Sequence, residues 1–177
     1  MIGASELYNL DTETGQLIWK PRPQDHFFDR PKWLRYQRHR CGKPAGTIDK
    51  WGYVKVLDRD GKKVCAHRVI WEMLNGPIAE GALIDHIDRV RHNNRPSNLR
   101  LADDCSNGWN RGKHRNNKSG IKGVSWNKRR GKWISVISHN RKTLTLGFFD
   151  SKGMAAVAYA KAALRFHGQF AKLSLSK

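Results

Sequence analysis

The sequence predicts an α+β chain built as two modules, and three observations carry that prediction. Short alternating apolar runs separated by Gly- and Asp-rich turns fill the first part of the chain, the pattern of antiparallel strands. Residues 82–111 read strand, loop, strand, helix, a ββα unit. Beyond residue 119, three longer alternating strands precede an Ala-rich helix, as expected of a small antiparallel sheet packed on one helix.

The elements follow in order. Leu7–Leu10 and Gln16–Trp19 flank Asp11-Thr12-Glu13-Thr14-Gly15, a turn sequence with glycine placed for positive φ, so residues 1–20 predict a hairpin. Residues 21–46 carry Pro21, Pro23 and Pro31 with the basic, aromatic run Lys32, Trp33, Arg35, Tyr36, Arg38 and Arg40; they predict a loop with a short helix from Pro31 to Arg38. Interleaved aromatic and Arg residues suit contact with phosphates and bases. Thr47-Ile48, Tyr53–Leu57 and Lys62–Cys65 form a β-meander across Lys50-Trp51-Gly52 and Asp58-Arg59-Asp60-Gly61. Ala66–Leu74 is helical, with Val69, Ile70, Met73 and Leu74 on one face, and Asn75-Gly76-Pro77 ends it. Ala82–Ile84 is a strand delivering Asp85 and His86 to its end, 88–96 a loop, Asn98–Leu101 a strand, and Cys105 to Arg111 a helix N-capped by Asp103 or Asp104. Strands at 123–126, 132–138 and 142–149 and a helix at 154–166 complete the chain. The domains expected are 1–111, a basic linker at 112–118, and 119–177.

Charge narrows the function classes. Among 177 residues, 34 Lys plus Arg stand against 15 Asp plus Glu, a formal charge of +19. Such an excess repels itself unless an anionic partner neutralises it, and nucleic acid is the leading partner. No apolar run approaches the ~18–20 residues of a spanning helix, so no membrane partner is expected, and a cytoplasmic location is. Cys41, Cys65 and Cys105 are widely spaced and include no CxxC pair, so no structural zinc is expected.

The chemistry concentrates at Ile84-Asp85-His86-Ile87-Asp88, running on to Asn93-Asn94-Arg95-Pro96-Ser97-Asn98-Leu99. An Asp beside a His holds a hard cation and presents a base at one point, and together they can act on a phosphodiester. A turn-rich surface loop with a solvated histidine is the competing reading of this stretch alone.

Residues 66–110 resemble the HNH homing endonucleases of phage and intron-encoded type. The matching residues are Ala66-His67-Arg68, Asp85-His86-Ile87-Asp88, Asn94-Arg95-Pro96-Ser97-Asn98-Leu99, and Asn107 with Asn110 on the following helix. The resemblance implies a ββα-metal nuclease unit in which His86 is the general base and Asn98 orients it. It implies that Asp85 and Asn107 hold one divalent cation, Mg²⁺ or Mn²⁺, with Asn110 one turn away as the other choice. Asn stands where a second motif histidine would be, which favours magnesium over zinc. His67, Arg68 and Asn94 are possible supporting residues; Asp88 and His92 read as solvated, with Asp88 able to sit near the metal.

Residues 116–172 resemble AP2/ERF-type DNA-binding domains through Ser119–Val124, Gly131-Lys132-Trp133, Leu146–Phe149 and the Ala-rich helix ending near Phe166-His167-Gly168. Residues 116–142 hold eight Lys or Arg and no acid. The resemblance implies that the sheet reads the major groove through Lys122, Ser125, Trp126, Lys128, Arg129, Arg130, Lys132, Arg141, Lys142, Thr143 and Thr145. Trp133 is expected in the core. The expectation is a metal-dependent DNA endonuclease acting on double-stranded DNA as a monomer or weak dimer. The alternatives are a catalytically silent DNA-binding regulator and a basic RNA-binding protein.

Overall fold

A computed structural model describes residues 6–110, 112–171 and 173. It contains small antiparallel sheets and four α-helices among the described residues. Strands β1 (Tyr8–Asp11) and β2 (Gln16–Trp19) form the hairpin, closed where Asp11 accepts from the Glu13 amide at 2.9 Å and the Thr14 hydroxyl at 2.6 Å. Helix α1 (Arg30–His39) begins at Asp29, whose carboxylate caps the Lys32 amide at 2.7 Å, with Pro31 in the first turn where its missing N–H costs nothing. The meander is β3 (Thr47–Ile48), β4 (Val54–Leu57) and β5 (Lys63–Cys65). Helix α2 (Ala66–Asn75) follows directly and stops at Gly76, φ 82°.

Strand β6 (Leu83–His86) extends through Asp85 and His86 instead of stopping before them, because β7 (Leu99–Ala102) pairs alongside. Both side chains are therefore fixed by a strand and buried. Helix α3 (Asp104–Asn110) is capped by Asp103, which accepts from the Ser106 amide at 2.6 Å while Ser106 Oγ accepts from the Asp103 amide at 2.9 Å.

The chain divides into two compact units, the first ending at Leu101 and the second beginning at Ala102. This division falls ahead of the expected 112–118 linker because α3 packs with the C-terminal elements. Trp109 stacks on His167 (centroids 4.5 Å apart, planes 9° apart) and on His139 (5.5 Å, 26°), and Lys122 Nζ donates to the Trp109 carbonyl at 2.6 Å.

The first core gathers Leu7, Tyr8, Leu17, Val56, Ala66, Val69, Ile70 and Leu99 from the hairpin, the meander, α2 and β7. In the second unit β8 (Val124–Asn127), β9 (Lys132–His139) and β10 (Lys142–Phe149) form an antiparallel sheet with β9 central, and α4 (Lys152–His167) packs on it. The approach is close. Ser135 is fully buried, and a Cβ on Gly123 would lie 2.2 Å from the Tyr159 ring. Trp133 packs against this core, as its sequence context implies. Among the described residues, no helix is long and apolar enough to cross a membrane.

Candidate active site

Asp85 and His86 alternate along β6, yet both are buried, with residue exposures of 8% and 4%. A buried carboxylate needs a partner, and β7 supplies one. Arg100 places Nη2 at 2.7 Å and Nε at 3.0 Å from Asp85 Oδ2. A charge-assisted pair of this kind fixes the carboxylate's orientation as well as compensating its charge.

The imidazole of His86 is held by Asn94, whose Oδ1 lies 3.0 Å from Nε2. An amide oxygen only accepts, so Nε2 carries the proton and a neutral ring has its lone pair on Nδ1. This orienting bond was expected from Asn98. The Asn98 amide is instead engaged within the loop: it accepts from the Asp88 amide at 3.0 Å and donates to Asp88 Oδ1 at 2.9 Å and to the Asn93 carbonyl at 2.7 Å. The Asn98 carbonyl also accepts from the Ile87 amide at 2.9 Å, closing the loop immediately after His86. Asn98 thus shapes the turn that presents Asn94, and its side-chain bonds go to the loop and not to the imidazole.

Asp88 is exposed, but it is a tie of the loop. Burial pushes its carboxyl up; hydrogen bonds from the Val90 amide, Asn93 and Asn98 outweigh that and hold it below the usual carboxylate range. His92 is exposed, as expected of a solvated loop residue.

His67, on the first turn of α2, stands edge-on to His86 with ring centroids 5.0 Å apart. The Tyr53 ring faces both, 5.5 Å from His67 and 6.2 Å from His86. Burial pushes the His67 imidazole down to about 3, and the neighbouring His86, Arg68 and Lys55 push the same way. Its Nδ1 is buried without a hydrogen-bond partner. His67 is therefore a neutral wall of the site. Arg68, the next residue, is half-buried.

The hairpin turn packs against the loop that carries Asn94. Gly15 has φ 71°, and a Cβ there would lie 2.2 Å from the Asn94 carbonyl carbon and 2.3 Å from the Arg95 amide. Arg95 Nε donates to the Glu13 carbonyl at 2.8 Å. Gly15 is legible in the sequence as a turn glycine but not as a neighbour of Asn94, and the motif spacing does not mark Arg100. The one legible signal is an arginine between Leu99 and Leu101 in an otherwise apolar strand, on the far side of the loop from an aspartate.

Asn107 and Asn110 lie on α3, Asn107 half-buried and Asn110 buried. The Asp85 carboxylate, in the first unit, and the Asn107 amide, in the second, each offer a hard oxygen donor of the kind Mg²⁺ and Mn²⁺ take. Among the described residues, no three His, Cys, Asp or Glu side chains gather into a metal-binding cluster.

On the C-terminal sheet, the residues expected to read DNA separate into groups. Ser125, Thr143 and Thr145 are exposed, as are Lys128, Arg129, Arg130, Arg141 and Lys142 at and beside the turns. The register pairs Ser125 with Ile134, Thr143 with Ser138 and Thr145 with Val136, on the side opposite Val124, Ser135 and Ile137. Trp126 pairs with Trp133 and meets its ring edge-on at 5.3 Å, so it belongs to the helix side of an edge strand, although half exposed. Lys122 is tied to the Trp109 carbonyl, and Lys132 is half-buried and pairs with Asp150 at 3.1 Å.

Comparison with known proteins points the same way. Residues 64–108 match a family model described as HNH endonuclease. The chain is 39% identical over 106 residues to protein 3.8 of Escherichia phage T7, covering 60% of this chain and 87% of that protein. It is 30% identical over 148 residues to an uncharacterized HNH endonuclease of Acanthamoeba polyphaga mimivirus, covering 73% of this chain and 76% of that one. No solved structure gives a significant match.

Proposed function

Because the chain belongs to the HNH endonuclease family and is a DNA-hydrolysing enzyme, we propose that His86 is the general base of phosphodiester hydrolysis and that the reaction depends on one divalent cation held by Asp85 and Asn107. The observation that carries this reading is the buried Asp85–His86 pair on β6, each member oriented by its own partner, Arg100 and Asn94.

His86 acts through Nδ1. Asn94 accepts the Nε2 proton, so the lone pair that takes a proton from an attacking water sits on the other ring nitrogen. Such a base contributes about 10²–10⁴-fold to the rate. Arg100 holds the Asp85 carboxylate in one orientation, and Asn98 and Asp88 hold the loop that carries Asn94. His67 and Tyr53 enclose the imidazole. A cation held by Asp85 and Asn107 would supply electrostatic stabilisation of the negative charge that develops in the reaction.

The second unit reads DNA with its sheet, as in AP2-type domains. The face carrying Ser125, Thr143 and Thr145 lies toward the groove, and Lys128, Arg129, Arg130, Arg141 and Lys142 contact phosphates. With one ββα unit a monomer cuts one strand, and a double-strand break takes a dimer or two visits.

The test is cleavage of supercoiled plasmid with Mg²⁺ and with EDTA, followed by mapping of the ends. Nicked circles that require Mg²⁺ and vanish in His86→Ala, with DNA affinity unchanged, are expected. Cleavage retained by His86→Ala removes His86 from the mechanism, and full activity in EDTA removes the metal.

A further inference from the structure

Away from the catalytic loop, α1 and the segment before it form a cavity of about 590 Å³ lined by Phe27, Lys32, Arg35, Tyr36, His39 and Arg40. Its composition is specific: two aromatic rings with Lys and Arg around them. Phe27 and Tyr36 pack at 5.2 Å, and the Arg22 guanidinium lies 5.0 Å from the Phe27 ring. From Arg30 to Lys43 the chain carries six Lys or Arg and no acid. Among the described residues, none of Arg30, Arg35, Arg38 or Arg40 has a carboxylate within ion-pair distance. Phe28, just before the helix, is 91% exposed with Lys32 Nζ 4.7 Å from its ring. A self-repelling cationic face fits a polyanion, and the exposed Phe28 beside Lys32 lies on it.

The hairpin sets where that face stands. At one end Gly15 touches the catalytic loop at Asn94. At the other, the Tyr36 hydroxyl donates to the Lys20 carbonyl at 2.5 Å, and Trp19 packs edge-on to Tyr36 at 6.0 Å. The five-residue step from Gly15 to Lys20 along an extended strand spans roughly 17 Å at ~3.3–3.4 Å per residue.

We propose that α1 is a second DNA-contact element of this enzyme, binding the phosphate backbone to one side of the cut, with the hairpin as the link between this element and the loop that carries Asn94. The site rests on DNA being the substrate. Its ligand is the duplex backbone, held by Arg35, Arg38 and Lys32 as phosphate contacts that carry no sequence information.

The full-length protein tests this through binding of a random-sequence duplex across a salt titration. Removing one phosphate-binding side chain lowers the slope of log K against log salt by about 0.9, so Arg35→Gln/Arg38→Gln should lower it by about two. Both arginines are exposed, and an unchanged melting temperature verifies the fold. Lys161→Gln on α4 removes an equivalent exposed charge and should leave the slope nearly unchanged. Hydroxyl-radical protection on a duplex cut at its mapped site should lose a patch to one side of the cut in the double variant. A wild-type slope in the folded double variant, or a footprint intact there, overturns the proposal. If wild-type protein itself shows no salt-dependent DNA binding, the substrate reading fails and this element fails with it.

Discussion

Asn94 and Asn98 stand on one loop and answer different needs. Asn94 meets the imidazole, while Asn98 closes the turn on Asp88 and Asn93. Asn94→Ala should lower kcat about 10–100-fold with little change in DNA affinity, as removal of an orienting partner does; single-turnover cleavage beside a binding titration checks it. Arg100 and Asp85 have side-chain exposures of 10% and 9%. Arg100→Met takes the ion-pair partner from a buried carboxylate and should cost about 3–5 kcal/mol in urea unfolding, part of it recovered when Asp85 is replaced by Asn in the same chain. His67 gives a pH signature. Its folded value is about 3 against ~6.5 unfolded, so between those limits the unfolded chain binds the extra proton. Stability is therefore full above pH ~6.5 and falls as pH drops toward 3. Between pH 7 and 5 the wild type should lose on the order of 2 kcal/mol more than His67→Phe, measured by denaturant unfolding at each pH.

At the scale of elements, the hairpin meets the Asn94 loop from outside the motif. Gly15→Val should place a side chain into the Asn94–Arg95 backbone at a positive φ. The backbone strain alone is on the order of 1–3 kcal/mol, and the collision displaces Asn94. The expected outcome is a lowered melting temperature together with a loss of cleavage larger than the loss of DNA binding. A variant that melts earlier but cleaves normally would show that the turn bears only on stability. Helix α3 has the corresponding support in the second unit. Its Trp109 is stacked on His139 and His167, and burial lowers the His167 pKa, so the ring is held chiefly as a neutral stacking partner.

For the whole molecule, this stacking changes what truncation means. A protein ending at residue 115 keeps the full Asp85–Asn107 motif but loses Lys122, His139 and His167, the partners of Trp109. It should lose most Mg²⁺-dependent cleavage as well as site selection. Thr143→Ala/Thr145→Ala, which alters only the exposed face, should keep cleavage and change its site distribution. Plasmid nicking with end mapping separates the two, and a truncated chain that cleaves as well as the full one would show that α3 serves cleavage without its Trp109 partners.

The local pattern of residues determined much of this protein. The turn at Asp11–Gly15, the cap at Asp103, the alternation in β8–β10 and the stop at Gly76 are interactions within a few residues of one another, so hairpin, meander, ββα order and final sheet with its helix were readable from the chain alone. The charge of +19 and the Asp85-His86 spacing likewise pointed to nucleic-acid chemistry. Three-dimensional contacts decided the rest. Which asparagine meets His86, which arginine pairs with Asp85, which side of the sheet Trp126 takes, and to which unit α3 belongs all depend on groups far apart in the chain. Such pairings are set by packing and by the cost of burying an unpartnered charge.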